Sequence, residues 1–186
     1  MHEPGIELTV LAGVTSVLEG AGIAYALIGA AALAVHGISR STFDLDLLAV
    51  DRRCLAPDLW AGLEARGITI EIRRGDAADP LAGVARFGIA AAPPVDLVIG
   101  RSSWQADCLA RAGRAKVGTI ELPILRPADL VLLKLYAGGP QDAWDIQQLL
   151  GRADQDEIVR EVESHLSELP PRATALWHRI GSVGQA

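Results

Sequence analysis

The chain has 186 residues, 50% hydrophobic and 22% charged, with a formal charge of −6, a length that supports one substantial core and is short for two full domains. The acidic excess argues against a protein that coats nucleic acid by long-range attraction. Gly, His, Pro or charges interrupt every apolar run before the roughly 20 residues needed to cross a bilayer. No basic cluster precedes an apolar core in Met1-His2-Glu3-Pro4-Gly5, so the sequence predicts a soluble, cytoplasmic protein without a secretory leader. Cys54 and Cys108 stand outside any metal-ligand spacing and read as reduced, partly buried thiols.

Ile6, Val10, Val14, Val17 and Leu18 recur at helical spacing, and Gly20 and Gly22 end the first helix they predict. The run Ile23 to Ile28 reads as a buried strand, followed by Gly29 and a small-residue helix from Ala30 to His36 that stops at Gly37. A polar connector, Ser39-Arg40-Ser41-Thr42, leads to a second strand from about Phe43 to Val50. Residues 55 to 66, with Leu55, Leu59, Trp60 and Leu63, predict a helix, and strands follow at Ile68 to Ile72, Ala82 to Ile89 and Val95 to Ile99. A helix around Ser103 to Ala112 and a strand around Thr119 to Leu125 complete a mixed α/β sheet. The clusters Arg73-Arg74 and Arg111, Arg114, Lys116 read as solvated surface. Beyond Pro127, which suits the first position of a helix, the pattern is helical throughout: a helix to Tyr136, a second from about Gln141, a third after Gly151 and a fourth after Pro170-Pro171. The expected organisation is a sheet-containing core, residues 1–126, and a helical C-terminal segment, residues 127–186.

The chemistry concentrates in the second strand, where Asp44 and Asp46 are the only charged residues. Residues two apart on a strand share a face, so the two carboxylates project together. Their repulsion is relieved by a hard divalent cation, Mg2+ being the natural one, or by exposure at a solvated strand edge. Asp96 is a third acid in a short apolar strand, Val95-Asp96-Leu97-Val98-Ile99, where isolation is costly. Three carboxylates on adjacent strands suit a two-ion site for phosphoryl or nucleotidyl transfer. Upstream, Gly29 and the amides of the helix beginning at Ala30 offer a place for phosphate, and Arg40, Ser41 and Thr42 lie just before the acidic strand. Lys134 sits among Val131, Leu132, Leu133 and Leu135, so its ammonium must snorkel or meet an anion. Asp142 and Asp145, three apart on the next helix, suit either an ion pair with Lys134 or Arg40 or a substrate-orienting role. His36, His165 and His178 show no ligating pattern.

Two blocks together resemble the nucleotidyltransferases of the DNA polymerase beta superfamily, in particular the minimal AbiEii-like, toxin-type branch. One runs from Leu27-Ile28-Gly29-Ala30-Ala31 through Ser39-Arg40-Ser41-Thr42-Phe43-Asp44-Leu45-Asp46, and the other is Lys134-Leu135-Tyr136-Ala137-Gly138-Gly139-Pro140-Gln141-Asp142-Ala143-Trp144-Asp145. The resemblance implies a mixed-sheet α/β nucleotidyltransferase core flanked by helices. It implies that Asp44, Asp46 and Asp96 bind the metals, that Gly29 and Ala30 hold the triphosphate of an NTP, and that Lys134 and Asp145 complete the site. Ala30 departs from the pattern, since many members have a glycine or serine there; its N–H survives but a hydroxyl contact to phosphate does not.

The expected reaction moves a nucleoside monophosphate from an NTP to an acceptor hydroxyl, on an RNA or tRNA 3′ end or on a protein, in a toxin that a cognate antitoxin protein neutralises. A small-molecule acceptor of the aminoglycoside type is one alternative. A catalytically silent nucleotide-binding or protein-interaction module of the same fold is the other.

Overall fold

The computed structural model describes residues 4–39, 44–90 and 92–183. The chain divides into two compact units, Met1–Leu125 and Arg126–Ala186. The first contains, in order, α1 (Pro4–Gly20), β1 (Tyr25–Ile28), α2 (Gly29–Val35), β2 (Leu45–Ala49), α3 (Ala61–Glu64), β3 (Thr69–Arg74), β4 (Gly83–Gly88), β5 (Val95–Ile99), α4 (Ser103–Ala110), β6 (Gly113–Val117) and β7 (Ile120–Ile124). The strands form one mixed sheet in the order β3-β4-β5-β2-β1-β7-β6. The pairs β2/β5 and β1/β7 are parallel and the remaining four antiparallel.

Burial explains which strands are central. In β2, the middle strand of seven, Leu45, Leu47, Leu48 and Ala49 are buried and only Asp46 interrupts the apolar run. Alternation is cleaner in β4 and β5: Ala85, Phe87, Val95, Leu97 and Ile99 face inward, while Arg86 is exposed and Asp96 and Val98 are half-buried. Val10, Leu11, Val14 and Leu18 of α1 are buried, and α1 packs against β4, β5 and β7. Trp60 and Phe87, both fully buried, meet edge to face at 4.6 Å between ring centroids, and the Trp60 indole N–H donates to the Cys54 carbonyl at 2.9 Å.

Two elements differ from expectation. In place of a helix over 55–66, 3₁₀ turns at Arg52–Leu55 and Pro57–Trp60 precede the single turn of α3. Pro57 is the reason: it has no N–H to donate and holds Ala56 in an extended conformation (φ −91°, ψ 121°). The second is a strand that was not expected: β6 forms a hairpin with β7, through Gly118 at φ +59°, and its Arg114 and Lys116 are exposed, in line with their reading as solvated surface.

The second unit is helical: α5 (Pro127–Ala137), α6 (Pro140–Leu150), α7 (Gln155–His165) and α8 (Pro171–Val183). Pro127 and Pro140 open their helices where no N–H is needed, and Gly138 closes α5 in the left-handed region at φ +71°. α5, with Leu130, Val131, Leu132 and Leu135 buried, contacts α6, α7 and α8. Among the described residues no helix is long and apolar enough to cross a membrane.

Candidate active site

The turn from β1 into α2 is built around Gly29. Its φ of +65° is a conformation that L side chains rarely adopt, and a Cβ there would overlap Asp46 Oδ2 and lie 2.9 Å from its Cγ. Ile28, the residue before it, is the antiparallel partner of Asp46. The absence of a side chain at Gly29 therefore makes room for the Asp46 carboxylate beside the first turn of α2. The N-cap residue, Ile28, makes no side-chain cap hydrogen bond, and Ala30 follows Gly29. Asp44 lies immediately ahead of β2 and is exposed. Arg40, Ser41 and Thr42 fall outside the described residues.

Asp96 is the parallel-register partner of Asp46 on β5, so the two acids share one face of adjacent strands. The row continues across the sheet, since Arg86 of β4 is opposite Asp96, and Glu71 of β3 is opposite Arg86. Glu71, Arg86, Asp96 and Asp46 thus form a line of alternating charge that ends in two neighbouring carboxylates. Arg86 grips Asp96 with both arms of its fork, Nε to Oδ1 at 2.8 Å and Nη2 to Oδ2 at 2.7 Å. The hydrogen bonds and charge of Asp96 hold the Arg86 proton more firmly than usual, and Glu71 and Asp44 add to the effect. Sequence reasoning assigned Arg86 no role. A charge within the otherwise apolar Val84-Ala85-Arg86-Phe87 was the available signal, the same signal that drew attention to Asp96.

The donor set suits a hard cation in part. Asp44, Asp46 and Asp96 carry carboxylate oxygens of the kind Mg2+ prefers, and both oxygens of Asp96 are engaged by Arg86. Among the described residues no group of three or more His, Cys, Asp or Glu side chains is gathered for a metal ion.

Lys134, Asp142 and Asp145 come together within the helical unit. The Lys134 ammonium lies 2.6 Å from Asp145 Oδ2 and 3.1 Å from Asp142 Oδ1, and its side chain is 14% exposed. Asp142 also accepts a hydrogen bond from the Gly139 N–H at 2.9 Å, tying the turn between α5 and α6 to the same cluster. The ion pair anticipated for Lys134 is present. A cleft of about 710 Å³ in this unit, lined in part by Gln147, Val159, Glu163, Trp177 and His178, contains none of the candidate residues. His36 lies 2.8 Å from the Leu125 carbonyl, far along the chain, and His165 lies 2.7 Å from the nearby Glu168.

No protein-family model matches the sequence, and no curated protein matches it. Solved structures do resemble it. The solution structure of the antibiotic-resistance factor ANT(2″)-Ia superposes with a TM-score of 0.58 at 13% identity, over 95% of this chain and 98% of that one. The fold is that of a nucleotidyltransferase. ANT(2″)-Ia in complex with adenylyl-2″-tobramycin gives a TM-score of 0.57 at 12% identity, over 87% of this chain and 98% of that one. A candidate nucleotidyltransferase from Thermotoga maritima gives 0.53 at 14% identity, over 81% and 96%. In this nucleotidyltransferase fold, the strand bearing Asp46 lies at the centre of the sheet, between β1 and β5.

Proposed function

We propose that the protein transfers a nucleoside monophosphate from an NTP to an acceptor hydroxyl. The observation that carries this reading is the placement of Asp46 and Asp96 side by side on adjacent parallel strands, with Gly29 giving up its side-chain space to Asp46. Asp44 and Asp46 hold the divalent cation, with Asp96 as the third carboxylate. A bound Mg2+ would supply charge neutralisation at the phosphates. The backbone amides at Gly29 and Ala30 receive triphosphate oxygens, and Arg40, Ser41 and Thr42 are assigned to the same phosphates. The acceptor hydroxyl forms the new bond to the α-phosphorus as the bond to the pyrophosphate breaks, so catalysis rests on positioning and charge more than on covalent chemistry. For Lys134 and Asp145 the geometry supports an ion pair that braces the α5–α6 turn, and a nucleotide contact is a separate role for mutagenesis to assign.

The acceptor we favour is an RNA or tRNA 3′ end or a protein hydroxyl, in a toxin-type setting. A small-molecule hydroxyl is the second reading, favoured by the likeness to ANT(2″)-Ia, whose structure holds adenylyl-2″-tobramycin. Incubation with each labelled NTP, Mg2+ and cell extract, followed by separation of RNA, protein and small molecules, tests both. Label in one fraction that disappears with Asp44→Ala and Asp46→Ala supports transfer and identifies the acceptor class; no label from any NTP overturns the proposal.

A further inference from the structure

Arg86 is the charge on the sheet face that the proposed chemistry leaves unexplained. A carboxylate needed by a cation is already held, at both oxygens, by a cation that belongs to the chain. The bidentate pair is half-open to water, with side-chain exposures of 50% for Arg86 and 21% for Asp96, so exchange does not require the core to open. Arg86 also has a second place to go. Glu71 is its directly opposed neighbour on β3, on the side away from Asp96, and is exposed. Arg73, two residues along β3, lies 3.5 Å from Glu71 and is 78% exposed, so Glu71 is only loosely engaged.

Resting on the nucleotidyl-transfer reading above, we propose that Arg86 competes with a divalent ion for Asp96. Asp44 and Asp46 take up a first ion without displacing Arg86 from Asp96. Asp96 becomes a ligand only when the guanidinium moves off it toward Glu71. The row Glu71-Arg86-Asp96-Asp46 then acts as a conditional third ligand: its charge is balanced internally until incoming positive charge displaces the arginine. Arg86 is a positioning residue here, acting on the site through Asp96.

The test is Mn2+ binding without nucleotide, followed by calorimetry and by the electron paramagnetic resonance of free Mn2+, in wild type, Arg86→Gln, Arg86→Lys, Arg73→Gln and Arg86→Gln/Asp96→Asn. Releasing Asp96 and removing the positive charge opposite it, two strands from Asp46, should tighten binding on the order of 10-fold in Arg86→Gln. Arg86→Lys keeps the charge without the two-armed grip and should give a smaller gain, which also covers the case of a Gln variant that folds poorly. Arg73→Gln removes an equal charge from the same sheet face, outside that row, while leaving Asp96 gripped, and should change affinity less than about 2-fold. The gain should vanish in the double variant. Equal Mn2+ affinity for wild type and Arg86→Gln, or equal gains in Arg73→Gln and Arg86→Gln, would overturn the competition. Asp46→Asn separates the two levels: if it weakens Mn2+ binding while Arg86→Gln has no effect, only the arginine proposal fails. If Asp46→Asn has no effect in either background, the carboxylate pair is not a cation site and the underlying reading fails with it.

Discussion

Replacing Gly29 by alanine separates backbone strain from crowding of the Asp46 carboxylate, because Gly22 provides a matched control. Both glycines have φ of +65°, but a Cβ at Gly22 meets nothing within 4 Å, whereas one at Gly29 overlaps Asp46 Oδ2 and lies within 3.0 Å of its Cβ and Cγ. Alanine in the left-handed region costs about 1–2 kcal/mol, and that is the whole expected effect of Gly22→Ala. Gly29→Ala adds an overpacking cost of about 1–3 kcal/mol, for a total of about 2–5 kcal/mol. The Asp46 carboxylate must yield, because the backbone of β2 is fixed between β1 and β5. A displacement near 1 Å at a reacting centre costs on the order of 100-fold in rate. Urea unfolding monitored by circular dichroism, alongside labelled-NTP transfer, should therefore show Gly22→Ala mildly destabilised and active. Gly29→Ala should be destabilised further and slowed on the order of 100-fold. Equal stability losses, or full activity in Gly29→Ala, would refute the close-approach argument.

Lys134→Met leaves Asp145, whose side chain is 3% exposed, without its 2.6 Å ammonium partner; a loss of about 3 kcal/mol in urea unfolding is expected, and a loss under about 1 kcal/mol contradicts the bracing role. Phe87→Ala removes a fully buried ring from its contact with Trp60 and should cost about 3–5 kcal/mol, with the Trp fluorescence of the folded state altered. Cys54 and Cys108 form no disulfide and are both buried, so a thiol reagent at pH 8 should react slowly with native protein and rapidly after denaturation. Burial pushes the Cys54 thiol up from 9.0 to about 12, with Asp51 contributing to the rise. The unfolded chain therefore ionises first as pH rises, so the stability this group contributes is intact below about pH 9 and declines from there toward pH 12. In stability-versus-pH measurements, Cys54→Ala should flatten that alkaline decline.

The central part of the fold was readable because local signals agreed there. A buried run, a glycine, a small-residue helix and an apolar strand broken only by acids specify β1, α2 and β2 without reference to anything distant. Two kinds of feature were less legible. Pro57 outweighed the helical spacing of Leu55, Leu59 and Leu63, a conflict between periodicity and backbone chemistry that the sequence displays but does not resolve. β6, Gly-Arg-Ala-Lys-Val, is a polar edge strand whose hydrophobic content is too low to stand out; it exists because β7 offers a ladder to pair with. Within the candidate site, Asp46 and Asp96 could be suspected as partners, but the grip of Arg86 depends on strand order and register across β4, β5 and β2, which residue spacing within one strand does not encode. Lys134 was the opposite case, because its helix-borne acids lie close in sequence and their pairing follows from helix geometry and one short turn.

The most direct test of nucleotidyl transfer compares NTP labelled at the α-phosphate with the same NTP labelled at the γ-phosphate, using the acceptor fraction and Mg2+, for wild type and Asp46→Ala. Transfer of the α-label alone, with pyrophosphate released and both signals absent in Asp46→Ala, is the expected result. Transfer of the γ-label, or α-label transfer undiminished in Asp46→Ala, would contradict the assignment of this sheet face as a nucleotidyltransferase site.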